Sequence, residues 1–216
     1  MSRLRVLALL AASVVFASTD ARAAGFALDT QSPRTVGMAG AAAAMIDDSS
    51  AIFFNPAGIA QGRILQMQAS GTLILPSSTF TDAKGVSTTT PFSVVPTFQA
   101  YVSGGITKDF SAGVGFFTPY GLTIGWPSGW EGRSLITSAS LATYQVNPTL
   151  AYRLGPVRIG AGVQIEPATV DLKRDLALPN GVFGSTEMGA NAFGIGANVG
   201  VQVEAVKNVL SFGLAY

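Results

Sequence analysis

Side chains alternate between apolar and polar over most of the chain after residue 63, and this alternation limits the folds available to it. From Val157 to Glu166 the odd positions are apolar and the even positions are polar or glycine, and Ile195 to Ala205 follows the same rule. A period of two is the period of a β-strand whose two faces meet different environments. The sequence therefore predicts a β-sheet with one apolar face and one polar face.

Seven segments carry this pattern, and their lengths and spacing suit a membrane-spanning barrel. A tilted strand needs about 9 to 11 residues to cross the hydrocarbon core of a membrane, and most of the segments reach that length. Long links at residues 76–96, 119–133 and 173–188 alternate with short ones, as the external loops and periplasmic turns of outer-membrane barrels do. The seven predicted strands are Leu65 to Leu75, Phe98 to Ile106, Phe110 to Phe116, Ala142 to Leu154, Val157 to Glu166, Ile195 to Ala205 and Leu210 to Tyr216.

The apolar positions change phase after Pro167. Beyond this residue Ala168, Val170 and Leu172 form the apolar set, so the even positions replace the odd ones. Proline has no N–H group to donate to a neighbouring strand, and an extra residue in a strand exchanges its faces. We therefore expect a bulge or a bend at Pro167.

The low charge of the polar face separates a barrel from a soluble β-sandwich. Only 12% of the residues are charged, about half of the roughly 25% in an ordinary soluble domain. The polar positions of the strands hold mainly Gln, Ser, Thr, Asn and Gly, whereas the water-facing side of a sandwich is rich in Lys and Glu. This composition favours a barrel with a polar lumen and an apolar face against lipid, and the sandwich is the alternative.

Missing residue types exclude most enzyme classes. The chain has no histidine and no cysteine, so Ser-His-Asp or Cys-His catalysis, His or Cys metal sites and disulfides are excluded. We therefore predict that the protein is not an enzyme and needs no cofactor or metal. The balance of 13 basic and 12 acidic residues also argues against nucleic-acid binding, which needs a basic patch.

The N-terminus has the three parts of a secretory signal peptide. Basic residues come first, an apolar run from Val6 to Ala17 follows, and small residues at Ala21 and Ala23 form a cleavage site. The run is too short for a transmembrane helix, which needs about 20 apolar residues. We predict that residues 1–23 are removed on export, which leaves a net charge of about −1.

Residues 24–62 do not follow the strand pattern. Met38 to Ile46 is rich in alanine and predicts a helix, which Asp47 to Ser50 would end in a turn. A small and apolar segment before the first strand suits a plug inside the lumen of a barrel. A flexible leader is the alternative.

Six ordered motifs make the chain similar to a known family. They are Ala24 to Leu28, Gly37 to Ala41 with Asp47 and Asp48, Asn55 to Gly58, Phe116 to Leu122, Trp130 to Arg133, and Asn147 to Tyr152. Together they resemble the FadL-type outer-membrane transporters, which carry long-chain fatty acids and aromatic hydrocarbons. The motifs extend over nearly all of the mature chain, so the resemblance is specific although no single motif is.

The resemblance implies an all-β fold: a transmembrane antiparallel β-barrel of about fourteen strands with a partly helical hatch in its lumen. It assigns residues 24–62 to the hatch and residues 63–216 to the first half of the barrel, with about seven strands. An open half-barrel leaves unpaired strand edges, which hydrocarbon does not tolerate. We therefore expect the chain to be a fragment of a longer protein.

The long loop after residue 119 is the predicted site of external capture, because its side chains offer an apolar surface to a hydrophobic solute. In it, Arg133 can orient a carboxylate, or can be an ordinary loop charge. The resemblance adds Phe26 and Leu28 as residues of an internal ligand pocket. The predicted capture residues are Tyr120, Leu122, Trp126, Trp130 and Arg133.

Two further sets of residues come from the resemblance. Asn55, Pro56 and Ala57 form the hatch-to-barrel junction, a role that is structural because Pro56 fixes the chain and Asn55 can bond nearby backbone. Gly113 and Gly115 lie in the third strand, where the family has a kink that opens the wall towards lipid. Glycines in a strand also serve packing, which is the alternative at these positions.

Transport and surface architecture are the two functions that the sequence supports. The first is passive, ligand-gated uptake of hydrophobic compounds by a monomer in the outer membrane of a Gram-negative bacterium, in contact with membrane lipid and lipopolysaccharide. The second is a structural or adhesin-like surface barrel, and an outer-membrane enzyme is a distant third. Fatty acids and aromatic hydrocarbons both need an apolar pocket, so the sequence does not distinguish between them.

Overall fold

The computed structural model describes residues 26–62 and 65–216, so the predicted signal peptide at residues 1–23 lies outside the described residues. The helical segments are short: Pro33–Gly37, Ala51–Phe54 and the 3-10 turns Pro56–Ile59, Glu131–Ser134 and Pro179–Gly181. No helix in the described part of the chain has both the length and the apolar character needed to cross a bilayer. The strands are β1 (Gln66–Ile74), β2 (Thr79–Thr81), β3 (Ser87–Thr89), β4 (Val95–Gly105), β5 (Phe110–Phe117), β6 (Gly121–Gly125), β7 (Ser138–Thr143), β8 (Gln145–Leu154), β9 (Val157–Ala177), β10 (Phe183–Val206) and β11 (Leu210–Ala215).

One curved sheet contains all of these strands except the small hairpin of β2 and β3. Its order is β1-β4-β5-β8-β9-β10-β11, and each neighbouring pair is antiparallel. β6 pairs with β7, which also pairs with β9. The seven predicted strands are confirmed as the seven members of this order.

The predicted long links contain more regular structure than expected. The link at residues 76–96 includes the β2–β3 hairpin, and the link at 119–133 includes β6. The prediction of a long loop at residues 173–188 was wrong, because β9 and β10 continue to Ala177 and Phe183 and pair there. The strand predicted from Ala142 to Leu154 begins earlier, since β7 starts at Ser138.

Residues 26–62 pack against one face of the sheet, which we call the inner face. Ile46 and Ile52 are completely buried there, together with Tyr101 of β4 and Phe117 of β5. The approach is close enough that a Cβ atom at Gly200 of β10 would overlap the Asn55 side chain. The polar positions predicted for a lumen therefore lie on the inner face, under this segment.

The helix predicted at residues 38–46 was wrong. These residues form turns, and the helices lie on either side of them, at Pro33–Gly37 and Ala51–Phe54. Ala39 and Gly40 both have positive φ, which an α-helix cannot accommodate. The Asp48 carboxylate accepts a hydrogen bond from the Ser50 backbone N–H, so the predicted turn precedes a helix and does not end one.

Of the bulge or bend predicted at Pro167, the bulge was wrong. β9 and β10 pair in one unbroken register, from the pair Val157 and Val203 to the pair Ala177 and Phe183. The pairing of β9 with β8 and β7 is also continuous, because the Tyr144 N–H donates to the Pro167 carbonyl between them. The odd positions therefore stay on one face throughout, and the phase change means that this face turns from apolar to polar after Pro167.

Pro167 and its partner Phe193 divide the β9–β10 hairpin into two halves. In the band half (157–167 with 193–203) every outer-face residue is apolar, and in the rim half (168–177 with 183–192) the apolar residues lie mainly on the inner face. Ten residue steps at about 3.3 Å give a band of about 33 Å along the strand, or about 25 Å high at a tilt of 40–45°. This is the height of the apolar band of an outer-membrane barrel.

Candidate functional site

A one-residue bulge interrupts the sheet between β5 and β6. Phe117 pairs with Gln145 at the end of β5, and Gly121 pairs with Ala142 at the start of β6. Residues 118–120 therefore lie opposite only two residues, 143 and 144, of the neighbouring strand. Because side chains alternate, the extra residue exchanges the faces, so that odd positions point inward on β5 and even positions point inward on β6.

The bulge leaves an opening in the wall between β4 and β6. β4 pairs with β5 only from Ala100 to Gly105, so its first five residues have no partner on this side. A cavity of about 490 Å³ fills the space, and no residue that lines it carries a charge. The lining consists mainly of apolar and hydroxyl side chains: Leu28, Ile74, Pro76, Val95, Pro96, Thr97, Phe98, Phe116, Thr118, Leu122, Thr123, Ser140, Leu141, Ala142 and Tyr144, with Gly121.

The beginning of the described chain binds to the bulge like a short extra strand. Ala27 and Tyr120 form an antiparallel bridge, the Leu28 N–H donates to the Pro119 carbonyl at 2.8 Å, and the Gly121 N–H donates to the Phe26 carbonyl at 3.0 Å. Gln31 donates its side-chain amide to the Thr118 carbonyl. The segment Phe26–Gln31 therefore closes the inner side of the opening.

A second cavity, of about 300 Å³, lies on the lumen side of this segment. Ala27, Pro119 and Tyr120 line it, together with the aromatic rings of Phe53 and Phe54. Its polar side consists of Gln145, Gln164, Glu166 and Asn198. The Gln145 amide nitrogen is buried and has no hydrogen-bond partner in the described structure. We call this space the internal cavity.

A groove of about 700 Å³ continues from the opening along the outer face of the rim half. It shares Pro76, Leu122, Thr123 and Ser140 with the opening. The Lys173 ammonium in this groove lies 2.8 Å from the Glu187 carboxylate, which raises the pKa of Lys173. Asp171 adds a second carboxylate, so the fixed charges of this rim groove sum to −1.

The two tryptophans of the predicted capture loop pack mainly against each other. Their rings stack with centroids 4.2 Å apart, and Phe80 meets Trp130 edge to face at 5.7 Å. Trp130 is buried and donates its indole N–H to the Ile136 carbonyl at 2.8 Å, whereas Trp126 also lines the rim groove. This cluster holds the loop beside the opening.

Arg133 is occupied by contacts within the same loop. Its guanidinium donates to the Gly129 carbonyl at 2.9 Å and lies 3.9 Å from the centre of the Phe183 ring. These contacts match the ordinary loop role that the sequence left open for this arginine.

The remaining predicted residues line the two cavities, take part in the bulge, or lie on β5. Leu28 and Leu122 line the opening, Tyr120 lines the internal cavity, and the half-exposed Phe26 contributes its carbonyl to the bulge. Gly113 and Gly115 lie in the regular part of β5, before the bulge. A Cβ atom at either glycine would approach a side-chain atom of Ile52 to 3.0 Å, so both allow the helix Ala51–Phe54 to pack closely.

Asn55 connects the N-terminal segment to β10 and, through the Leu214 carbonyl at 3.4 Å, to β11. Its side-chain amide donates to the Ala43 carbonyl at 2.6 Å and to the Val201 carbonyl of β10 at 3.1 Å. Its side-chain oxygen accepts from the Ala57 N–H at 3.1 Å, which caps the start of the 3-10 turn Pro56–Ile59. All three junction residues are buried, and their contacts are those of a structural joint.

Sequence reasoning missed Gln31 and Thr118, which join across the bulge, and Glu166 in the internal cavity. Pro119 was only a weak signal for the first pair, because Pro167 and Pro148 also lie inside strands and neither is at a bulge. Glu166 had a weaker signal, as an acidic residue among the Gln and Gly side chains of the polar face.

The chain matches one protein family over residues 14–216, and that family is described as outer membrane protein transport protein (OMPP1/FadL/TodX). A Neisseria meningitidis serogroup B protein named as an outer membrane protein, NMB0088, is 31% identical over 121 residues, which cover 49% of this chain and 25% of that protein.

Solved structures of similar fold agree with the sheet described above. A Pseudomonas aeruginosa FadL homologue matches with a TM-score of 0.71 at 18% identity, over 89% of this chain and 52% of that structure. The Ralstonia pickettii toluene transporter TbuX matches at 0.68 and 18% identity, over 85% and 55%. The P. putida toluene transporter TodX matches at 0.64 and 16% identity, over 78% and 51%. These matches confirm the predicted β-barrel fold, and the chain spans about half the length of each solved structure.

Proposed function

We propose, because this chain belongs to the OMPP1/FadL/TodX family of outer membrane transport proteins, that it carries small hydrophobic molecules across the outer membrane of a Gram-negative bacterium. Two proteins of similar fold are named as toluene transporters, which supports a hydrophobic solute. The apolar outer face of the band half supports a position in the membrane, because lipid tails accept side chains that water does not.

The opening between β4 and β6 is the observation that carries this proposal. Tyr144 lines it and bonds to Pro167, so the opening lies at the upper edge of the apolar band, while Phe98 and Phe116 extend it into the band. A hydrophobic molecule that leaves here enters lipid directly and avoids the polar lower lumen. Burial of its apolar surface supplies about 25 cal/mol per Å², which is sufficient for passive capture and release.

The N-terminal segment is the proposed hatch. It comprises residues 24–62, and its described part fills the inner face of the sheet through Ile46, Ile52 and the Asn55 joint. Its first residues, Phe26–Gln31, separate the internal cavity from the opening. Movement of this short stretch joins the two cavities and leaves the Asn55 joint in place, and we propose this as the gating step.

The capture residues take different parts in this scheme. We propose that Leu28 and Leu122 form the apolar walls of the exit, that Tyr120 contacts the solute in the internal cavity, and that Phe26 controls movement of the gate. Trp126 and Trp130 shape the entry, with Arg133 holding their loop. Gly113 and Gly115 let the hatch pack against β5, which keeps the strand in place up to the bulge.

Uptake by whole cells tests the proposal. Cells that express the gene encoding this chain receive radiolabelled toluene and, separately, hexadecanoate, and initial uptake is compared with cells that carry an empty vector. We expect faster uptake of at least one probe, and loss of most of that gain in Leu28→Asp, because a carboxylate in the apolar exit is costly to bury. Val36→Asp is the matched control, since Val36 is exposed on the helix Pro33–Gly37 and lines none of the described cavities.

Two results contradict the proposal. One is equal uptake by expressing and control cells while a folded barrel is present in the outer membrane, which favours the surface-structural alternative. The other is equal loss of uptake in Leu28→Asp and Val36→Asp.

A further inference from the structure

The charges along the proposed route are distributed unevenly. The opening, in the middle, has no charged residue in its lining. The internal cavity on one side has a single charged residue, Glu166. The rim groove on the other side has Asp171 and Glu187 against Lys173, which is already paired with Glu187.

In the described part of the chain, no cation that lines the route is free to receive an anion. Among the residues that line these three cavities, Lys173 is the only base. Arg133 is held by backbone carbonyls and the Phe183 ring, and Arg174 lines a neighbouring cavity of about 200 Å³ that shares only Lys173 with the rim groove. A carboxylate that moves through the opening would therefore lose its water without gaining a partner, and would meet a like charge on both sides.

A neutral molecule meets none of these costs. The apolar rings and aliphatic side chains of the opening accept it, and the hydroxyls of Thr97, Thr118, Thr123 and Ser140 can bond to a weakly polar group. From this distribution we infer that the exit selects uncharged hydrophobic molecules against carboxylates, which are excluded by Glu166 on one side and by the net charge of −1 in the rim groove on the other. The inference rests on the proposed function and narrows its substrate class.

The test compares two probes of equal length that differ in charge. Radiolabelled hexadecan-1-ol and hexadecanoate are offered at pH 7.5 to cells that express the gene, and uptake by empty-vector cells is subtracted. We expect the alcohol to enter at least about tenfold faster than the carboxylate, which corresponds to one missing charge partner. Toluene serves as a second neutral probe and is expected to enter as well.

Two variants test the charges themselves. Glu166→Gln keeps the shape of the side chain and removes its charge, so we expect the alcohol-to-carboxylate ratio to fall by about threefold or more. Ala142→Lys places a cation on the outer face at the mouth of the opening and is expected to lower the ratio further. Its control is Asn191→Lys, because Asn191 lies at the same height on the outer face, two strands away in register through Thr169.

The outcomes separate this inference from the function on which it rests. Entry of none of the probes, with a folded barrel present, contradicts transport itself. Entry of hexadecanoate as fast as hexadecan-1-ol overturns the inference and leaves transport standing. An unchanged ratio in Glu166→Gln, or equal changes in Ala142→Lys and Asn191→Lys, also overturns it. Since Glu166→Gln is nearly isosteric, the test remains decisive if the lysine variant fails to fold.

Discussion

The band half and the rim half of the β9–β10 hairpin have the same backbone and opposite side chains. Pairing continues without a break from one half to the other. In the band half the outer face is apolar and the inner face is packed against residues 26–62, the proposed hatch, whereas in the rim half the outer face is polar and the inner face is largely apolar. The depth of this hairpin in the membrane is therefore set by side chains alone.

The difference predicts unequal costs for the same substitution in the two halves. Val163→Arg puts a charge on the outer face near the middle of the band, and we expect it to lower the free energy of unfolding by about 2–4 kcal/mol. Thr169→Arg lies on the same face of β9 in the rim half, and its cost should stay within about 1 kcal/mol. Denaturant unfolding of the protein in lipid vesicles measures both. Equal costs would contradict the assignment of the band.

The second-largest difference in stability is expected between glycine substitutions on the inner face. Gly200→Val in the band half forces a side chain into the space of Asn55, and we expect a loss of about 3 kcal/mol, at the upper end of overpacking costs. Gly194→Val, at the boundary of the two halves, meets nothing closer than the Glu166 carbonyl at 3.7 Å and should cost well under half as much. The same unfolding measurement checks the pair, and a similar loss for both would show that the hatch does not pack against β10 in the membrane.

A smaller effect is expected from one buried hydrogen bond. The Asn198 side chain in the band half donates to the Ile52 carbonyl at 2.8 Å, so Asn198→Leu leaves that carbonyl unpaired and should cost about 1–2 kcal/mol. Asn191→Leu removes an exposed contact with Thr169 in the rim half and should change stability by less than about 0.5 kcal/mol. Faster proteolysis of the hatch in Asn198→Leu alone would support this difference, and equal proteolysis of both variants would argue against it.

The smallest effect belongs to the ion pair of the rim half. The hydrogen bond to Glu187 raises the pKa of Lys173 above its ordinary value of 10.5, so the pair stabilises the fold below that value and its contribution disappears as pH rises through the raised pKa. Lys173→Met should therefore differ slightly from the parent in its unfolding midpoint at neutral pH and low salt, and not at all at strongly alkaline pH. A difference that persists at high pH would assign the effect to the side-chain stem.

Much of the sheet was predictable because apolar and polar side chains alternate regularly along the strands of the band. In β8, Val146, Leu150 and Tyr152 point to lipid while Asn147 and Thr149 point to the lumen, and this alternation needs no tertiary information. The N-terminal segment was less predictable, since the turn at Ala39 and Gly40 overrides the helix propensity of the alanines around it.

The boundary of the band explains both the wrong prediction at Pro167 and the missed bulge. In β9 the environment changes without a bulge, so the apolar residues change phase and imitate an irregularity. Along β5 and β6 the environment and the register change together. The two shifts cancel, and Val114, Phe116, Leu122 and Ile124 continue one even-numbered apolar series across the opening. The phase of the apolar positions depends both on what surrounds each face of the strand and on its register. A single sequence does not show which of the two has changed.

The bulge at residues 118–120 has a consequence for how such barrels diversify. One additional residue is encoded by one additional codon, and it exchanges the two faces of every residue that follows on the strand. In this protein the bulge accompanies the separation of β4 from β6, and an opening in the wall lies between them. A single in-frame insertion or deletion is thus the smallest mutation that adds an opening of this kind to a barrel wall, or removes it, without changing the remaining strands.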